Sequence, residues 1–152
     1  FESAFIYGQW HSDLHKGNII FVNNKVCIID FGLVGFLNRF EKTIILNYNS
    51  HLIKKEWTKA ARLYVTKMTD TKTFSSYNTR FIKDIAKILE HNFDNNPNIS
   101  NSVSQMAKCS KKYETKFNNK YVQFEIAFST LSCTLCELGY NNIYDFMRNK
   151  IN

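Results

Sequence analysis

Two different spacings of apolar residues divide this chain near residue 40. From Glu41 onward apolar side chains recur every three or four positions: Ile44, Ile45, Tyr48 and Leu52, then Trp57, Ala60, Ala61 and Tyr64, then Phe81, Ile85, Ile88 and Leu89. That is the period of one helix face, so everything after residue 40 is expected to be helical. The clustered Asn and the single Pro97 between Asn92 and Ser102 predict a loop. A last long helix is expected over Tyr121 to Leu138, with Phe124, Phe128, Leu131, Leu135 and Leu138 on one stripe and Gly139 as its stop. Before residue 40 the pattern changes. Ile19–Val22 and Val26–Ile29 are two short β-prone runs around Asn23-Asn24-Lys25, which predict a buried hairpin with a tight turn and the only β structure of the chain. Phe1 to Tyr7 reads as the last turns of a helix ended by Gly8, and Gln9 to Asn18 as a polar loop. The expected fold is mainly α with a small β hairpin, its apolar stripes serving as core.

Composition agrees with one folded domain. The chain has 152 residues, 44% of them apolar and 15% aromatic, too many for a disordered segment. The longest uncharged stretch of the apolar C-terminal region, Ile126 to Cys136, falls well below the ~20 residues that span a bilayer. Phe1 to Trp10 has neither a basic n-region nor a cleavable h-region, so no secretory signal is expected. With Phe1 in place of a start methionine, the chain reads as part of a longer intracellular protein, peripheral at a membrane at most. Twenty Lys and Arg against thirteen Asp and Glu give a net charge of +7. Pairs such as Lys54-Lys55 and Lys111-Lys112 are spread along the chain, which speaks against nucleic acid, while a lipid surface with anionic headgroups is compatible. The four cysteines are irregularly spaced and read as reduced thiols; Cys133 and Cys136 form a CxxC without a matching second pair of zinc ligands. His51 and His91 have no carboxylate or cysteine at ligand spacing and read as surface or structural histidines.

The chemistry concentrates in His11-Ser12-Asp13-Leu14-His15-Lys16-Gly17-Asn18 and, beyond the hairpin, Ile29-Asp30-Phe31-Gly32. A turn at Asn23-Asn24 pairs Val22 with Lys25; counting back places Asn18 opposite Ile29 and Gly17 opposite Asp30. Residues facing each other in an antiparallel ladder lie about 4.5 to 5.5 Å apart, so Asp30 returns close enough to Asn18 for the two to share a metal. Magnesium suits such a pair, since it takes hard oxygen ligands and completes its shell with phosphate and water. Asp13, five residues before Asn18, can project into the same space as acceptor of a nucleophile's proton. This is the layout that phosphoryl transfer requires.

D-x-x-x-x-N followed after a hairpin by D-F-G resembles the catalytic and metal-binding loops of the protein-kinase-like fold. More narrowly, H-S-D-L-H-K-G-N-I-I-F and I-I-D-F-G-L-V-G resemble the UbiB family of atypical kinases, also called aarF-domain-containing kinases, which is linked to ubiquinone biosynthesis. That family typically carries H-A-D-x-H-P-G-N and then D-F-G-x-x-G. Here Ser12 replaces Ala, Lys16 replaces Pro, and Gly35 completes the second motif. Glu56-Trp57 before Ala60-Ala61-Arg62-Leu63 is similar to the family's helical C-lobe. The resemblance is strong over residues 7 to 37 and diffuse beyond.

The resemblance implies roles. Asp13 would be the catalytic aspartate, with Asn18 and Asp30 holding magnesium and, through it, ATP. His11 would buttress the loop. His15 falls where ordinary protein kinases carry a catalytic-loop lysine and would touch a phosphate, with Lys16 as the alternative cation. Phe31 would be a packing residue and Gly32 a hinge. The implied organisation is one kinase-like C-lobe, with a catalytic loop at 11–18, the hairpin at 19–30, the DFG segment at 30–35 and a helical remainder at 41–152. A nucleotide-binding N-terminal lobe of the same chain, with the family's K-x-G-Q segment, would lie outside these residues and be their partner, so the 152 residues alone are expected to be inactive. Two other readings compete. Phosphotransferases of the aminoglycoside and choline kinase type share the H-x-D-x-x-x-x-N loop, although the D-F-G-L-V-G run speaks against them. The other is an inactive kinase-like module that binds protein or lipid.

Overall fold

The computed structural model describes residues 3–70, 76–94, 97–140 and 143–144. Asn23 and Asn24 both adopt left-handed backbone, with φ of 50° and 59°. A two-residue hairpin loop whose twist matches its strands needs this conformation, and Asn tolerates it better than most residues. The turn joins β2 (Ile19–Val22) to β3 (Lys25–Ile28) in the expected register, Val22 facing Lys25 and Ile19 facing Ile28.

The hairpin is not buried, contrary to expectation. Phe21 is 65% exposed and Val26 61%, and Ile20, Val22 and Ile28 are exposed as well. Ile19 and Cys27 are half-buried and Ile28 borders a pocket with Trp10, Leu14 and Phe124, so cover is partial there, while Phe21, Val22 and Val26 stand in solvent.

A second two-stranded ladder lies in what reads as loop. β1 (Gln9–His11) pairs antiparallel with β4 (Val34–Phe36), Trp10 facing Gly35. Three-residue strands are too short to display an alternation, and the partner is supplied by a distant segment. Gly35 makes the pairing possible, because a Cβ there would stand 2.1 Å from the Trp10 ring. Gly8, at φ 72°, ends the opening Ser3–Tyr7 turn of helix as expected.

Among the described residues the remainder is mainly helical; positions 71–75, 95–96, 141–142 and 145–152 of the expected helical region lie outside them. α1 (Arg39–Ile53) opens with a capping box, in which the Asn38 side chain accepts from the Glu41 N–H at 2.9 Å and the Glu41 carboxylate accepts from the Asn38 N–H at 2.8 Å. α2 (Trp57–Leu63) runs into a wider π-type turn at Tyr64–Met68. Then follow α3 (Ser76–Phe93), α4 (Ile99–Lys112) and α5 (Asn119–Glu137), which stops before Gly139 at φ 90°. The loop expected over 92–102 is shorter. Asn92 is buried at the end of α3 and donates to the Ile88 carbonyl at 2.8 Å, while Asn98 caps α4. Leu138 is 46% exposed and leaves the core stripe of α5.

Tyr48, Tyr64, Met68, Phe81, Ile85 and Leu89 lie at the centre of the core formed by α1 to α4, and Phe124 and Phe128 extend it along α5. Against the sequence reading, His51 does have a carboxylate partner: the turn between α1 and α2 brings Glu56 onto its ring. No disulfide joins the cysteines, of which Cys109 is buried and Cys133 and Cys136 are exposed. No helix among the described residues is long and apolar enough to cross a membrane.

Candidate active site

The loop between β1 and β2 is held by its own side chains. The backbone N–H of Asp13 donates to Nδ1 of His11 at 3.2 Å, and the carbonyl of Asp13 accepts from the buried Asn18 side-chain amide at 2.9 Å. Both peptide groups of Asp13 are thereby engaged, and its carboxylate is left to face solvent. Nε2 of His11 lies 2.8 Å from the carbonyl oxygen of Asp30. The neutral tautomer with its proton on Nε2 satisfies both contacts, accepting from Asp13 and donating to Asp30. Three hydrogen bonds thus run from Asn18 through Asp13 and His11 to Asp30.

The hairpin register brings the far end of this chain back. The Ile29 N–H donates to the Asn18 carbonyl at 2.9 Å, which places Asn18 opposite Ile29 as the count along the strands predicts. Asp30 then leaves the ladder with φ 59°, an uncommon backbone for a residue other than Gly. Its Oδ1 accepts from the Gly32 N–H at 3.1 Å, closing an Asx turn over Phe31. Phe31 does not pack inward as expected. It is 64% exposed, lies T-shaped to the His11 ring with centroids 5.5 Å apart, and borders a pocket that Leu14, Ile28 and Phe124 also line.

The two candidate cations part company. Nδ1 of His15 accepts from the Gly17 N–H at 3.0 Å, which turns Nε2 toward the Asp13 carboxylate at 3.7 Å. Lys16 reaches the other way, to Glu137 on α5 at 3.3 Å. Of the pair, His15 is the one beside Asp13. Thr134, also on α5, shares its one hydroxyl proton between the Leu14 carbonyl at 3.1 Å and the Thr130 carbonyl of its own helix at 3.0 Å, and so ties the loop to α5. Nothing local in the sequence marks Thr134 or Glu137, since each lies some 120 residues from the loop that it holds.

Asn18 keeps its amide oxygen, and Asp30 its second carboxylate oxygen, outside any hydrogen bond among the described residues. One neutral and one anionic oxygen donor fit a hard cation such as magnesium, with phosphate and water completing its shell. Among the described residues no group of three or more His, Cys, Asp or Glu gathers into a self-sufficient metal site. The Asp13 and His15 side chains are each about half exposed, so the site is open to water.

Residues 1–64 match the family model described as ABC1 atypical kinase-like domain. Comparison with curated proteins and with solved structures finds no match to either. The matched segment contains Asp13, Asn18 and Asp30, the four strands and all of α1. The mainly helical architecture with small antiparallel pairs is consistent with the C-terminal lobe of a kinase-like fold. The segment that carries the candidate site, and not the helical region beyond it, is thus similar to the ABC1 atypical kinase-like domain, in agreement with the resemblance to the UbiB and aarF-domain-containing kinases.

Proposed function

We propose that this chain supplies the catalytic-loop half of an atypical kinase or ATPase that uses Mg-ATP in support of quinone-lipid, specifically ubiquinone, biosynthesis. The observation that carries the phosphoryl-transfer reading is the hydrogen-bonded connection from Asn18 through Asp13 and His11 to Asp30. The quinone role rests on the family resemblance alone. In this reading Asp13 accepts the proton of the attacking hydroxyl or water. Its clamped backbone holds the carboxylate in place, which is where a pre-organised base gains its advantage. Asn18 and Asp30 would hold magnesium, which neutralises charge on the transferred phosphate. His15, beside Asp13, is the nearer cation for a phosphate oxygen when protonated, while Lys16 serves the loop's attachment to α5.

The exposed apolar hairpin and DFG segment are, in the same reading, the seat of a nucleotide-binding lobe of the same protein. Covering Phe21, Val26 and Phe31 would remove apolar surface from water and shield the open site from solvent. The competing reading, a module that binds without turnover, gives the same family match and is separated by one experiment. In a polypeptide joining this chain to a nucleotide-binding lobe, phosphate release from Mg-ATP is expected to fall at least about a hundredfold on Asp13→Asn and on Asp30→Asn. Turnover unchanged by both substitutions would overturn the assignment.

A further inference from the structure

Beyond the segment that matches the family model, the solvent faces of α3 and α4 carry an uneven set of charges. Arg80, Lys83 and Lys87 recur at three- and four-residue spacing and share one face of α3, about 10 Å from first to last at ~1.5 Å per residue. All three are exposed and form no ion pair among the described residues. Lys112, at the end of α4, faces them across an open groove of about 460 Å³ that Asp84 and Tyr113 complete. Asp84 accepts from Lys112 at 3.0 Å and from the Tyr113 hydroxyl at 2.8 Å. These two hydrogen bonds, Lys112 first, hold its carboxyl below the usual range. Asp84, which also feels the charge of Lys87, stays ionised and is hydrogen-bonded to Lys112 and Tyr113, so a single carboxylate faces the four cations that line the groove. Four cations against one carboxylate leave the groove with an excess of positive charge, which favours an anion that enters it.

The large apolar side chains exposed among the described residues lie between positions 6 and 46 or at 126, 138 and 140, none of them on this face. Recognition here would rest on charge, and a concave groove suits a discrete anion better than a flat surface does. We propose that the groove binds a compact polyphosphate, two or more linked or neighbouring phosphate groups. Arg80 offers a planar fork to one phosphate, and Lys83, Lys87 and Lys112 act as point charges for the others. The same chemistry is presented by a soluble polyphosphate and by the multiply phosphorylated headgroup of a lipid. The groove shares no residue with the Asp13 site, so this inference is independent of the function proposed above.

The test titrates the chain with sodium tripolyphosphate in magnesium-free buffer at low salt. In parallel the chain is sedimented with phosphatidylcholine vesicles with and without a phosphoinositide bisphosphate. The double variant Lys83→Glu, Lys87→Glu is compared with Lys54→Glu, Lys67→Glu, which changes net charge equally at exposed positions elsewhere. Circular dichroism and thermal melting establish that both fold. The expected result is a loss of affinity of at least about tenfold in the groove variant and no more than about twofold in the control. That pattern with tripolyphosphate supports a soluble ligand; the pattern with phosphoinositide vesicles alone supports a headgroup. Absence of binding to both, or equal loss in the two variants, would overturn the proposal. So would single-stranded RNA binding more tightly than either probe with the same sensitivity to Lys83 and Lys87, which would reassign the groove to a nucleic-acid backbone.

Discussion

Nε2 of His11 donates to the backbone carbonyl of Asp30 at 2.8 Å, across nineteen residues of sequence. Through this bond the loop at 11–18 and the Asp30-Phe31-Gly32 segment share one imidazole, whose other nitrogen accepts from the Asp13 N–H. The ring acts on both acids through their backbones, and it touches neither carboxylate. It is a positioning residue for both.

Replacing that ring should uncouple the two acids more than it unfolds the protein. His11→Leu is expected to lower stability by only about 1–2 kcal/mol, since its two hydrogen bonds lie near solvent. Phosphate release in a lobe-joined polypeptide should fall at least about tenfold, while the melting temperature drops by roughly 2–8 °C and the variant stays folded at assay temperature. Equal activity in the variant would show that the bridge does not position the site.

Gly35 should tolerate no side chain. A Cβ at that position meets Cζ2 and Cε2 of Trp10 at 2.1 and 2.2 Å, and Trp10 is buried against Phe124. Gly35→Ala is expected to separate β1 from β4 and to destabilise the fold by ~3 kcal/mol. Thermal unfolding measures the loss, and the Trp10 fluorescence of the folded variant should report a wetter indole.

Glu125 should make stability fall as pH rises. Burial in the core raises its pKa from 4.5 to about 7. Below pH 4.5 the group is protonated whether the chain is folded or not, and this contribution to stability is fully present. Between 4.5 and about 7 the unfolded chain ionises while the folded one keeps its proton, so stability declines, and above about 7 the loss is complete. The full amplitude is on the order of 3 kcal/mol. Glu125→Gln should remove this slope, which urea unfolding at pH 5 and pH 8 would measure. A slope that persists in the variant would assign it to other groups.

The exposed hairpin should be inexpensive to make polar. Phe21→Ser with Val26→Ser is expected to change stability by less than ~1 kcal/mol, because neither side chain is buried. Self-association in sedimentation should decrease with the apolar area removed. A large loss of stability would place these side chains in the core.

The helical region was legible because its signal is long and local. Ile44, Ile45, Tyr48 and Leu52 repeat over several turns of α1, and each lies in the core. The hairpin register was legible because an Asn-Asn turn and two flanking runs leave few alternatives. β1 and β4 were not, because three residues carry no period and their pairing is decided by a partner over twenty positions away. The hairpin's burial was misread for a related reason: apolar composition records a preference for cover, and only the packed neighbours decide whether cover is there.

For the candidate site the division is similar. The residue types and spacing of Asp13, Asn18 and Asp30, and the strand count that returns Asp30 toward Asn18, follow from sequence because they depend on short-range chain geometry. The tertiary structure alone decided that His11 spans the two loops, that Lys16 turns to Glu137 while His15 stays beside Asp13, and that Thr134 holds Leu14. Apart from the approach of His15 to Asp13, which is local to one loop, each of those contacts joins segments whose meeting depends on how the whole chain packs, and no local pattern encodes it.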